Sequence, residues 1–338
     1  MNNIKNISVI VLGLFFCHCN NQNQDELPAD YQKIKIDCKL IRYDQEVFNG
    51  NIKNISAKID TLNKNYPGFT ALYFNNLIGI PANNTEAVFK QFLESYSPIA
   101  IDVNKNFKNF DAYYYKFIEG FKRLHYFFPN YKIPPAIYSF IAPFHSFSNF
   151  ISDDGLGIGL QLYLGNDYVY YNVKEMETVF PQYLIRKFKP EYIVSDGMQN
   201  IIGDICTDQL RSNTLLLQMV DLGKKKFILK KTLPQTPDSI IFGYTQNHLS
   251  NLQRDIKNVW GYIIQNNFLY SNDPIIIRDF IGEGPYCTTI SKNLPANIGA
   301  YFGYLIVKKW YEQSPQQPFT NLLRIDNQTL FNQAKFKP

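Results

Sequence analysis

Histidine is scarce in this chain, four residues in 338, and one of them, His18, lies in an N-terminal segment with its own explanation. His125, His145 and His248 remain, and none lies within four residues of another. There is no His-Glu-x-x-His, no Cys-x-x-Cys, no Gly-x-Ser-x-Gly and no phosphate-cradling glycine-lysine loop. Each of those motifs places reacting groups or metal ligands at a fixed spacing. Their absence removes the common zinc-peptidase, redox, serine-hydrolase and nucleotide-hydrolase readings. Cysteine is also sparse. Of five, Cys17 and Cys19 fall in the N-terminal segment, and Cys38, Cys206 and Cys287 are left. Three cysteines cannot all pair within one chain, so they are expected to be buried small apolar residues. Past residue 19 no apolar run approaches the roughly 20 residues a membrane-spanning helix needs. Nor is there an internal repeat, or a basic tract of the kind that grips nucleic acid. The formal charge of +5 comes from scattered lysines, and no nucleic-acid partner is expected. The densest basic cluster, Lys224–Lys226 with Lys230–Lys231, reads as a solvated helix end.

The first nineteen residues are distinctive. Lys5 supplies a positive start, and Ile7, Val9 to Leu12 and Leu14 to Phe16 supply a short apolar stretch. It is too short to span a bilayer but matches the apolar core of a secretion signal, about 7–15 residues. Two cysteines follow, and the chain then turns polar over Asn20–Glu26. An apolar run, a cysteine and a polar tether are the parts of a lipoprotein. Cys17 has Leu14 three places before it but Phe16 immediately before; Cys19 has Phe16 and His18 in those places. Cys19 is taken as the lipid-attachment residue because the tether starts directly after it, with Cys17 the alternative. The expected layout is a signal over 1–19, a tether over 20–32 and one globular domain over 33–330. The protein would be held in the cell envelope by its lipid, with a periplasmic-side body and an unassigned leaflet.

The body is rich enough in apolar residues to build a substantial core: 45% of the chain is hydrophobic and 16% aromatic. Residues 33–43 alternate, with Ile34, Ile36, Cys38 and Leu40 on one face, and predict a strand. Ile52, Ile55, Ile59 and Leu62 repeat at helical spacing. A capped helix is expected from Thr85, and another over Phe110–Tyr126. After Pro134-Pro135 come strand candidates at Ala136–Phe144, Phe147–Ile151 and Ile158–Leu164, with a turn at Asp153-Asp154-Gly155. From Pro181 onward helices are predicted near 181–188, 191–210, 213–231, 245–268, 274–282, 296–313 and 318–325. The fold class is therefore α+β: a small mixed or antiparallel sheet flanked by many helices, with a mostly helical C-terminal half.

Two segments carry candidate site residues. Gly155-Leu156-Gly157-Ile158-Gly159 has the wrong spacing for a dinucleotide loop. It fits a strand where backbones approach closely, or a groove floor at Gly157 and Gly159. Tyr163, Tyr168, Tyr170 and Tyr171 follow and could form an aromatic rim for a peptide or sugar, although core packing gives the same pattern. On the helix after Pro190, Val194, Met198, Ile201, Ile202 and Ile205 form the apolar stripe. Asp196, Asn200 and Asp204 share a second stripe at four-residue steps. Oxygen ligands on one face could hold a hard cation, and a solvated polar face would look alike.

Taken in order, several of these pieces resemble the gliding-motility lipoprotein GldB family. They are Arg42-Tyr43-Asp44-Gln45, Tyr66-Pro67-Gly68-Phe69 and Gly155 through Gly165. Phe180-Pro181-Gln182-Tyr183, Pro190 through Val194 and Thr236-Pro237-Asp238-Ser239 follow. Gly243-Tyr244-Thr245, Trp260, Gly282-Glu283-Gly284-Pro285 and Pro295 through Val307 complete the series. The likeness covers roughly residues 33–325. That family is similar to zinc-dependent peptidases of the zincin type, whose His-Glu-x-x-His helix places two imidazoles one turn apart on a metal. On the helix after Pro190 the matching slots would be Asp196, Gly197 and Asn200, so both imidazoles and the base would be missing. The resemblance implies a zincin-like fold without the chemistry, and no metal or cofactor is expected. It also implies a role in gliding motility, and in linked secretion, exercised by binding or scaffolding. Partners would be the membrane, through the lipid, and motility or secretion proteins of the envelope; the oligomeric state is open. The groove would be lined by Gly157, Gly159, Tyr163, Asp196 and Asn200. Two competing readings are a metallopeptidase with an unusual ligand set, Asp196, Asn200 or Asp204 joined by Glu283 or a histidine, and a glycan-binding module using Tyr163 and Tyr170.

Overall fold

The computed structural model describes residues 27–50, 54–81, 84–146, 148–206 and 214–338. Cys17, Cys19, Ile52 and Phe147, and the C-terminal part of the helix expected to run to 210, lie outside the described residues. A short 3-10 turn, Ala29–Lys33, leads to β1 (Lys39–Ile41). The predicted alternation holds as a burial pattern: Ile34, Ile36 and Cys38 turn inward and Lys35 and Asp37 outward. Ladder pairing, however, is confined to three residues. Helices α1 (Tyr43–Phe48), α2 (Ile55–Asn65), α3 (Pro67–Leu72), α4 (Thr85–Asn106) and α5 (Asp111–Phe127) follow. A π-helical turn, Tyr73–Ile78, continues α3. Thr85 is the first residue of α4 rather than its cap; Asn84 holds that position.

The sheet is mixed and four-stranded, in the order β1-β2-β4-β3. β2 (Ala136–Phe140) lies parallel to β1 and to β4 (Gly155–Gly159), and β3 (Asn149–Ser152) returns antiparallel to β4. The β3–β4 turn needs Gly155, whose φ of +150° disfavours a side chain and whose missing Cβ leaves room for the Ala136 carbonyl. The predicted strand at 158–164 is displaced: pairing covers the glycine-rich stretch, and Leu160–Leu162 leaves the sheet as a 3-10 turn.

β2 is buried on both faces and feeds two cores by strict alternation. Ile137 and Ile141 enter the larger core; Ala136, Tyr138, Phe140 and Ala142 enter the smaller. The same alternation explains the glycine cluster. Leu156, Ile158 and Leu160 project into the larger core, while Gly155, Gly157 and Gly159 occupy the opposite phase. The smaller core, built on α1–α4, is aromatic: Phe69 stacks on Tyr138 at 4.0 Å between centroids and lies 5.8 Å from Phe150. The larger core gathers α5 with the helices of the C-terminal half: α6 (Gln182–Ile185), α7 (Ile193–Ile205), α8 (Leu215–Thr232), α9 (Asp238–Phe242), α10 (Gln246–Gln265), α11 (Pro274–Ile281), α12 (Ile298–Glu312), α13 (Asn321–Arg324) and α14 (Asn327–Ala334). α9 and α14 were not expected. Cys38, Cys206 and Cys287 are buried and outside any disulfide. Among the described residues no helix is long and apolar enough to cross a membrane.

Candidate functional site

A cleft of about 320 Å³ opens where α7 passes the β3 edge and the α6 segment. Tyr163, Asp196 and Asn200, three of the residues expected to form the groove, line it together. α7 places Asp196 and Asn200 because its apolar stripe, Val194, Met198, Ile201 and Ile202, is buried and so turns the next stripe toward the cleft, while Tyr163 comes from the end of the Leu160–Leu162 turn. Tyr163 is almost wholly buried. Its hydroxyl donates to Asp196 Oδ2 at 3.1 Å and accepts from Asn149 Nδ2 at 2.6 Å, while Asn149 Oδ1 accepts from Gly159 N–H at 3.3 Å. On the other side, Gln199 Nε2 donates to Asp196 Oδ1 at 3.2 Å, and Lys226 Nζ donates to Gln199 Oε1 and to the Ile241 carbonyl, each at 2.7 Å. Asn200 Nδ2 is turned back onto the Asp196 carbonyl of its own helix at 3.0 Å. At the mouth, Lys187 pairs with Glu283 at 2.8 Å, so Glu283 joins the cleft through its partner.

Burial is the main influence on the charges here. It pushes the Asp196 carboxyl up to about 6, against the opposing pull of the Tyr163 hydrogen bond and of Lys187 and Lys226. Burial likewise lowers the Lys226 ammonium to about 8, with Asp196 and Glu283 resisting. The Tyr163 hydroxyl is held well above its ordinary range by burial and by the adjacent carboxylate.

The other expected site residues are placed elsewhere. Gly157 and Gly159 do not line the cleft. A Cβ at Gly157 would lie 2.5 Å from the Phe150 ring, and one at Gly159 would lie 2.5 Å from the Ser148 carbonyl. Both glycines admit neighbours rather than floor a groove. Asp204 accepts from Tyr131 at 2.8 Å and borders a different cavity, so the carboxylates of α7 do not converge. Gly197 faces α5, where a Cβ would lie 2.7 Å from the Phe117 ring; a base at that position could not reach the cleft. Of the tyrosine cluster, Tyr171 is buried and Tyr168 donates to Asp102 at 2.9 Å, which leaves Tyr170 exposed. None of the three histidines lines the cleft. Among the described residues no three His, Cys, Asp or Glu side chains gather as a ligand set.

Asn149, Gln199 and Lys226 were missed by sequence reasoning. The cluster containing Lys226 was read as a solvated helix end, and the structure corrects this. Lys224 is buried and donates to the Ile325 carbonyl at 2.6 Å, Lys230 pairs with Asp238 at 2.8 Å, and Lys226 closes the network above. A signal was available: these lysines share α8 with residues buried on nearly every side, so their stems had to cross apolar ground.

Fold and site together define an α+β protein whose cleft holds a half-buried carboxylate wired to tyrosine and amide groups. A family model described as gliding motility protein GldB matches residues 24–338, and the chain belongs to that family of gliding-motility lipoproteins. No curated protein and no solved structure matches it.

Proposed function

We propose that this chain is a lipid-anchored protein of the cell envelope that serves gliding motility by holding a partner at the Tyr163–Asp196 cleft, without catalysis. The observation that carries the binding role is the commitment of the cleft's polar groups. Each Asp196 oxygen accepts one hydrogen bond, and the Asn200 amide nitrogen donates within its own helix. Groups held this way present a fixed pattern of hydrogen-bonding positions to a partner. The likeness to zinc peptidases enters as descent: a zincin-like body whose ligand positions carry Asp196 and Asn200. The partner is an envelope protein of the motility machinery, and a link to secretion follows if that machinery also exports adhesins.

The test uses a gliding bacterium lacking the gene, complemented with the wild-type chain or with Lys187→Glu, which reverses the charge at the mouth and leaves the buried network in place. At equal protein levels the variant should spread at a small fraction of the wild-type rate and lose the crosslinked partner. Full spreading by the variant would overturn the assignment to this cleft. Cleavage of peptides by the purified wild-type chain, lost in Asp196→Asn, would overturn the non-catalytic reading.

A further inference from the structure

We propose that the apolar cavity between α5, the start of α7 and the α8–α9 loop receives an acyl chain carried on the protein's own N-terminal cysteine; this rests on the lipid-anchor reading above. The cavity measures about 840 Å³, in the upper part of the roughly 300–1,000 Å³ range of ligand pockets. Tyr113, Val194, Leu233, Pro234, Pro237 and Ile240 give it mostly apolar walls. It is separate from the Tyr163–Asp196 cleft, and no residue lines both.

Two further observations select the occupant. Ser195 lines the cavity, is 1% exposed, and its Oγ has no hydrogen-bond partner. Buried hydroxyls are nearly always paired, so an occupant that brings an acceptor to this wall would satisfy a group the fold leaves unpaired. The ester or amide carbonyl at the head of an acyl chain is such an acceptor on an otherwise apolar body. The second observation is where the chain enters the fold. Tyr31 donates to Glu119 at 3.0 Å, accepts from Arg123 at 3.1 Å and lies under the Arg123 guanidinium at 4.9 Å. Glu119 and Arg123 both line the cavity. The N-terminal segment is therefore pinned at the cavity's border. The twelve residues from Cys19 to Tyr31 can span at most about 40 Å, ample for a lipid on Cys19 to fold back. That segment, Asn20–Glu26, is polar and would not itself compete for apolar walls. Sheltering a chain this way would let the protein remain dispersed before its anchor reaches a membrane.

The test compares the wild-type chain, purified from a lipidating host and checked for lipid by mass spectrometry, with the unlipidated Cys17→Ser/Cys19→Ser double variant. The probe is a fluorescent long-chain fatty acid. The double variant should bind one probe per chain. Ile240→Glu, which sets a charge in the wall, and Thr236→Trp, which fills space at the loop, should each weaken binding roughly tenfold or more in that background with circular dichroism unchanged. The lipidated chain should bind the probe at least about tenfold more weakly than the double variant, because its own acyl chain competes. Failure of the double variant to bind would overturn the proposal. So would equal binding by lipidated and unlipidated chains, which would assign the cavity to acyl groups from elsewhere and leave the anchor intact. Absence of lipid on the wild-type chain would instead defeat the anchor reading, and the occupant with it.

Discussion

Asp196 is held at the bottom of the cleft by one tyrosine and one amide, and its environment raises its protonation range to about 6. In an unfolded chain an aspartate titrates near 3.9. Between those values the folded protein binds more protons than the unfolded one, so stability falls as pH rises through about 6. The facing groups are Tyr163, Gln199, Lys187, Lys226 and Glu283; Lys226 titrates only near 8, above this window. Asp196→Asn keeps an acceptor for Tyr163 and removes the titration. Its urea midpoint should be flatter than the wild type's between pH 4 and 6.5, and higher relative to wild type at pH 7 than at pH 4.5. Tyr163→Phe should move the other way, costing about 1–3 kcal/mol by stranding Asn149 and Asp196 and pushing the carboxyl higher still. A wild-type profile with no slope in that window would count against the buried carboxylate. Asp196, Asn200 and Tyr163 were legible in the sequence because helical spacing put the first two on one stripe and the third followed a strand. Asn149 and Lys226 were not, since each reaches the site from an element whose position only the tertiary fold decides; Gln199 lies on α7 itself, three residues after Asp196, where helical spacing could have found it.

Among the helices, α8 and α12 approach each other closely. A Cβ on Gly303 would overlap the Met219 carbonyl oxygen, and one on Gly223 would overlap the Gly303 backbone. The two helices meet backbone to backbone, with Gly299 one turn before Gly303 admitting Ile281 and Met219. Gly303→Ala cannot be absorbed by a side-chain rotation, because the obstructing atoms belong to a helix. It should destabilise by about 1–3 kcal/mol or more. Gly261 in α10 has open space where a Cβ would stand, and Gly261→Ala should stabilise by up to about 1 kcal/mol through helix propensity alone. Denaturant melts of the two variants check the contrast; equal effects would remove the close-contact account. α8, α10 and α12 were all legible because each is long, and α10 is strongly amphipathic besides. α9 and α14 were not: at five and eight residues they are too short to form from local preference and exist because packing holds them. The glycine alternation of β4 was legible only as a close approach, since which core each phase faces depends on β2 lying between two helical layers.

At the scale of the whole molecule, the sheet is shared by two cores, and a polar knot helps tie them. Arg42, between β1 and α1, donates from Nε to Asp44 Oδ1 at 3.0 Å, from Nη2 to Asp44 Oδ2 at 2.7 Å, and from Nη1 to the Phe107 carbonyl at 2.7 Å. Ser139 of β2 donates to Asp44 Oδ1 at 2.5 Å. Tyr43 and Val47 of α1 belong to the smaller core, while Phe107 belongs to the larger. The pair is bidentate and largely removed from water, with side chains 15% and 2% exposed. Removing one charge from such a pair leaves the other buried without a counter-charge, at a cost on the order of 3–5 kcal/mol. Trp260 and Trp310, the chain's two tryptophans, both sit in the larger core and so report on it alone. Asp44→Asn acts at the knot, at a distance from both indoles. If the two cores unfold as one unit through the common sheet, the tryptophan-fluorescence midpoint should fall in Asp44→Asn together with amide protection in α2 and α3, whose buried residues lie in the smaller core alone. A variant that lost protection in α2 and α3 while its tryptophan transition stayed at the wild-type midpoint would show two independently folding layers instead. The sheet would then be a boundary, and the knot at Asp44 would fasten the smaller layer without sustaining the larger.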